Sequence, residues 1–192
     1  MALARLAGLG NLPEKLGDLA RAYAEYWQAL PKSAGVPMKR ALDPGAMRRF
    51  IASFVIVERR SPQVFTIRLA GSAVRELSGV ELTGTDALAL RDGEQREKGT
   101  AAYEAQLATP CGAWGIVIGR SAAGFHVPSE VMVFPLRDDD GSLRFLGGTI
   151  EPCSPAVRPD RAGAAEAKML SWPEHRFIDI GFGLPKFPRG AR

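Results

Sequence analysis

At 192 residues the chain is long enough for one domain with extensions and for a sizeable buried core. A hydrophobic share of 46% and a charged share of 24% exclude a disordered or low-complexity chain, and no apolar run approaches the roughly 20 residues a membrane-spanning helix needs. The formal net charge of +4 is spread over doublets (Lys39-Arg40, Arg48-Arg49 and Arg59-Arg60), and their scatter argues against a nucleic-acid-binding block.

Met1 to Gly10 is apolar but lacks the long apolar centre and cleavage site of a signal peptide, so the expected compartment is the cytoplasm. An amphipathic helix follows. Leu16, Leu19, Ala20, Tyr23, Tyr26, Trp27 and Leu30 recur at helical spacing, Pro13 suits the first turn, Glu14 complements the positive end of its dipole, and Pro31 stops the helix. So aromatic a face has to be covered, either by the sheet of its own domain or by a partner subunit. After a Pro- and Gly-containing connection over 31–42, Asp43 caps a short helix with Pro44 at its first position and Met47, Phe50 and Ile51 on its apolar side. Phe54 to Val57 reads as a buried strand and Val64 to Leu69 as a second. The Ser61-Pro62 turn between them is too short for a crossover, so the pair is an antiparallel hairpin.

A helical middle comes next. Ser72 is placed to cap a short helix through Leu77, and Gly79 stands where a left-handed terminus belongs. Ala87 to Leu90 reads as one helical turn. A longer helix runs from Asp92 to about Leu107, softened by Gly99 and ended by Pro110. Three strands follow: Gly112 to Gly119, Val127 to Leu136 and Leu143 to Ile150, the last two joined by the turn Asp138-Asp139-Asp140-Gly141. The first of them puts Trp114, Ile116 and Ile118 on one face and Ala113 and Val117 on the other. Pro152 and Pro155 close this region. Beyond it Arg176 to Phe182 suits an edge strand or a docking segment, and the rest reads as a tail ordered by contact.

The usual catalytic and cofactor signatures are missing. His126 and His175 are far apart and no cysteine stands near either at ligand spacing, which speaks against a metal site and against haem. The acidic run before Gly141 lacks the spaced ligands and closing Glu of a calcium loop. There is no nucleophile elbow, no P-loop and no dinucleotide fingerprint; Gly181-Phe182-Gly183 has no strand–turn–helix around it. Cys111 and Cys153 are too few for a disulfide framework and read as free thiols.

Tyr26-Trp27, Asp43-Pro44 and the run Phe65-Thr66-Ile67-Arg68-Leu69-Ala70-Gly71, followed by Gly79 and Leu82-Thr83-Gly84, together resemble the PAS sensor family, in its bacterial single-domain form. The resemblance covers roughly residues 16 to 151. It implies an α+β fold: a five-stranded antiparallel sheet in the order 2-1-5-4-3, helices on one face, and the N-terminal amphipathic helix. The division is then 1–42 for that helix and its connector, 43–155 for the PAS-like domain and 156–192 for the tail. In that order Cys111 and Cys153 lie at opposite ends of the sheet. The flavin photosensors of the family need a cysteine in a polar helical motif, and Cys111 precedes a strand beside Pro110 instead, which argues against flavin.

The implied function is a non-enzymatic signalling sensor or adaptor that binds a small ligand, a protein partner, or both, with no further output module in the chain. A cavity between the sheet and the helical middle would be walled by Phe65, Ile67, Tyr103, Trp114 and Ile116, unless these are ordinary core. Arg68 either snorkels to solvent or offers its fork to a carboxylate or phosphate, and Glu130 is a candidate partner for it. Tyr23, Tyr26, Trp27 and Leu30 are the expected partner or homodimer surface. The rival readings are a small cone-fold enzyme of the isomerase or dehydratase kind, and a basic adaptor for an anionic nucleotide or nucleic acid using Arg48, Arg49, Arg59 and Arg60. The identity of any cofactor stays open.

Overall fold

The computed structural model describes residue 6, residues 8–154 and residues 167–186. Pro155, and most of the apolar start Met1 to Gly10, lie outside the described residues. Helix α1 spans Asp18–Ala29, a turn shorter at its start than the apolar spacing suggests. A two-stranded ribbon, β1 (Lys32–Ser33) and β2 (Val36–Pro37), follows it. Asp43 does cap a turn, its carboxylate accepting from the Gly45 N–H at 2.8 Å, but 44–50 stays a series of turns that ends in a 3-10 helix at Ile51–Ser53.

The main sheet is antiparallel and has six strands rather than five. Strands β3 (Phe54–Ser61), β4 (Val64–Ala70), β5 (Cys111–Arg120), β6 (His126–Arg137), β7 (Leu143–Pro152) and β8 (Lys168–Asp179) run in the order β4-β3-β7-β6-β5-β8. The first five repeat the expected 2-1-5-4-3 order. The extra strand comes from the C-terminal segment, begins earlier than Arg176, and pairs with β5 from Cys111↔Asp179 to Arg120↔Lys168. At the opposite edge the chain from 84 to 87 crosses β4, with Ile67, Gly84 and Ala87 N–H groups bonded to Thr85, Ile67 and Phe65 carbonyls, so neither sheet edge is left wholly bare.

The helical middle covers one face, as expected, and the N-terminal helix covers the other. On one face lie α2 (Ser72–Ser78), α3 (Gly93–Ala108) and the segment between them. Gly71, not Ser72, stands at the N-cap of α2, while Gly79 does take the left-handed C-cap with φ 76°. On the other face α1 buries Ala20, Tyr23, Ala24 and Trp27 against Phe54, Met132, Phe134 and Leu136. Trp27 stacks on Phe134 at 4.7 Å and donates its indole N–H to the Pro135 carbonyl; Tyr23 donates its hydroxyl to the Gly147 carbonyl. No side chain of its own caps α1. Instead its first N–H groups, at Gly17 and Leu19, donate to Glu130 and Glu151 of the sheet.

Both cysteines are free, Cys111 buried and Cys153 exposed. The Cys153 N–H bonds the Pro128 carbonyl, Pro128 pairs with Ile118, and Ile118 is seven residues along β5 from Cys111. At about 3.3 Å per strand residue the thiols are roughly 23 Å apart, far beyond the ~7 Å Cα separation a disulfide allows.

Candidate functional site

Between the sheet and α3 the side chains leave a cavity of about 110 Å³. Val57, Ile67, Val117 and Val133 make an apolar floor from four strands, and Tyr103 and Gln106 of α3 form the roof. Arg91, just before α3, and Trp172, on β8, close one side. A second cavity of about 100 Å³ adjoins it toward α2, sharing Val74, Leu82 and Met169. Polar ties hold the roof in place. Arg96 of α3 pairs with Asp86 at 2.6 Å and donates to the Leu88 carbonyl, and Arg59 of β3 pairs with Glu104 of α3 at 2.9 Å.

The residues expected as cavity walls divide between the two faces. Ile67 and Tyr103 line the cavity. Phe65 is fully buried and meets Tyr103 edge-on at 5.1 Å, supporting the wall from behind. Trp114 borders the cavity along β5, but its indole points to the α1 face, where it donates to Glu130 at 2.6 Å; Ile116 packs on that face too. Ala113 and Val117, of the opposite parity, meet the helical side.

Arg68 is not a cavity residue. Alternation from Phe65 and Ile67 turns it outward, and the register slips between Ile56/Leu69 and Val57/Ile67, leaving Arg68 as the extra residue of a bulge. It is 54% exposed and lies 3.3 Å from Glu58, which Arg60 also contacts at 3.2 Å. Glu130 is occupied by Trp114 and Gly17, so it is not the partner of Arg68. The face expected for a partner is turned inward: Tyr23 and Trp27 are buried on the sheet, Tyr26 accepts from the Asp43 N–H at 2.7 Å, and the half-buried Leu30 lies at the helix end. The arginines considered for a polyanion are spoken for in part, Arg49 by Asp18, Arg59 by Glu104 and Arg60 by Glu58.

Sequence reasoning missed Arg91, Gln106 and Trp172. One signal was available: Gly115 sits in the middle of β5, and glycine inside a strand marks a close approach. A Cβ there would meet the Trp172 indole nitrogen at 2.3 Å. Gly99, read as a soft spot in α3, has a packing reason as well, since its Cβ would meet Arg91 Nη1 at 2.8 Å and Leu88 at 2.9 Å.

Next to this side of the cavity His175 packs against Trp172 at 4.2 Å and Phe177 at 4.6 Å between ring centres. Burial, and then the Arg91 guanidinium, push its pKa down to about 4. A base whose folded pKa lies below its unfolded value of about 6.5 stabilises the fold above pH 6.5, and that contribution is lost as the pH falls toward 4. Glu130 works the other way, because burial raises its pKa and its contribution is lost as the pH rises from the ordinary carboxylate range. In urea titrations His175→Phe is expected to flatten the stability slope between pH 6.5 and 4 by up to about 1.4 kcal/mol per pH unit. An unchanged slope would mean that His175 is open to water.

Among the described residues no group of three or more His, Cys, Asp or Glu side chains is placed to hold a metal, and no helix is long and apolar enough to cross a membrane. A family model described as PAS domain matches residues 18–150. Among solved structures the chain is similar to one from a flavin-analogue study of light-oxygen-voltage domain mechanism, at 16% identity over 59% of this chain and 88% of that one, with a TM-score of 0.47. It is also similar to the light-state blue-light photoreceptor Aureochrome1 LOV, at 18% identity over 58% and 88% with a TM-score of 0.45. A Rhodobacter sphaeroides LOV protein matches at 13% identity over 55% and 61%, TM-score 0.45. A search of curated proteins gives no significant match.

Proposed function

Because this chain belongs to the PAS domain family, whose model spans 18–150, we propose that it is a non-enzymatic signalling sensor with a small-molecule ligand in the cavity beneath α3. It acts by contact with a partner protein. The observation that carries this reading is the cavity itself: apolar walls, a few polar groups at one side, and a roof tied down by salt bridges. The helical segment over this face also carries Gly79, Gly84 and Gly93, all at positive φ. A ligand can signal only by favouring one arrangement of such a segment over another. Among the described residues that line the cavity there is no carboxylate, so the general acid–base pair of an isomerase or dehydratase has no support there. The volume also speaks against haem and flavin: a cavity of roughly 150 Å³ holds a benzene ring, and this cavity and the one adjoining it, about 110 and 100 Å³, leave room for one ring and its substituents.

Native mass spectrometry of freshly purified full chain tests the reading. A bound species a few atoms larger than a single ring at most is expected, and stripping it should speed amide exchange across 79–108 while the exchange of β6 and β7 stays the same. If no species co-purifies, and toluene neither binds nor slows exchange over 79–108, the chain works by contact alone.

A further inference from the structure

Resting on the cavity being a ligand site, we propose that its ligand is a small single-ring carboxylate bearing a hydrogen-bond donor, held by Arg91 and Trp172 and oriented by Gln106. Arg91 is 8% exposed, and its Nη1 is buried without a hydrogen-bond partner among the described residues. The neighbouring carboxylate, Asp92, is taken by Lys168. A buried cation without a counter-charge is expensive, and an anionic occupant relieves that cost. The guanidinium lies 5.2 Å from the Trp172 ring centre and 6.0 Å from that of Tyr103. Held against two aromatic faces, it keeps its planar N–H edge for a carboxylate.

Two further groups narrow the class. The Trp172 indole N–H is also buried with no partner among the described residues, and a second donor beside Arg91 favours an anion with more than one acceptor oxygen. Gln106, 1% exposed, spends its amide N–H on the Ala102 carbonyl, which leaves its Oε1 as a buried acceptor without a donor among the described residues. A hydroxyl or N–H on the ligand meets that need. The two donor groups are not placed by chance packing. Gly99 on α3 and Gly115 on β5 each leave the space that the Arg91 and Trp172 heads occupy, where a Cβ would stand at 2.8 and 2.3 Å. Opposite these groups the floor is Val57, Ile67, Val117 and Val133, which suits a flat apolar body. A volume of about 110 Å³ limits that body to one ring or a chain of similar bulk.

The test is calorimetric titration of the full chain with benzoate and with 3- and 4-hydroxybenzoate, set against the corresponding benzamides, toluene and sodium sulfate. The carboxylates are expected to bind at least about tenfold tighter than their amides. Arg91→Met should abolish that preference while toluene still binds, and Gln106→Leu should remove the advantage of a hydroxybenzoate over benzoate. Trp172→Phe, which keeps the ring and loses the donor, gives a second reading of the preference should Arg91→Met not fold. Amides or toluene binding as tightly as the carboxylates, or a preference that survives Arg91→Met, overturns the ligand class but leaves the cavity as a ligand site. Sulfate matching the carboxylates means an inorganic anion site and overturns the class too. Failure of every ring compound, toluene included, removes the ligand-site reading and this proposal with it.

Discussion

Trp27→Ala is expected to destabilise the protein by about 4 kcal/mol, the upper part of the range for large-to-small changes in a core. The side chain is 1% exposed, stacks on Phe134, and places its N–H on the Pro135 carbonyl, so alanine leaves a cavity and a buried carbonyl without its donor together. The loss extends beyond one residue. Tyr23, Phe50, Phe54 and Phe134 form an aromatic cluster with ring centres 5.2 to 6.0 Å apart, and α1 is the element that closes it. Urea unfolding should therefore show a lower midpoint with little change in slope. A loss below about 1 kcal/mol would mean that α1 is not docked on its own sheet, and the face would again be free for a partner.

Much of the sheet was legible because its strands are bounded by strong turn signals: Ser61-Pro62, Pro110 and the acidic turn before Gly141 each stand where a strand begins or ends. The choice of cavity face was not legible. On β5 both parities are apolar, with Trp114 and Ile116 on one side and Ala113 and Val117 on the other, and a sheet covered on both faces removes the polar alternation that would tell them apart. The large residues went with the α1 face, where Trp114 bonds Glu130. The smaller ones faced α3, and that is why space remains there.

Arg68 was misleading for a different reason. Alternation from Phe65 and Ile67 sends it outward as it should, but the bulge then turns Leu69 outward beside it, and nothing in the residue types announces a one-residue slip. Arg91 and Trp172 were illegible because they lie 81 residues apart in sequence and meet only through β8, which pairs with β5 across a long connection.

Gly71→Ala is expected to cost about 3 kcal/mol, as overpacking against backbone does when neither side can retreat. The φ of Gly71 is −66°, which alanine adopts freely, so conformational strain is not the cause. The cause is contact: a Cβ at Gly71 would stand 2.2 Å from the Ala52 carbonyl oxygen and 2.5 Å from that of Ile51. The Gly71 N–H is at the same time bonded to the Phe54 carbonyl, which fixes how close the two segments come. Gly84 makes the control, since it has φ +85° with no atom within 4 Å of a Cβ, and Gly84→Ala should cost only about 1 kcal/mol from backbone strain. Equal losses at the two positions would show that β4 and the 51–53 turn are not in contact. A much larger loss at Gly71, with faster amide exchange in α2, would show that the junction also seats Val74, and with it the adjoining end of the cavity.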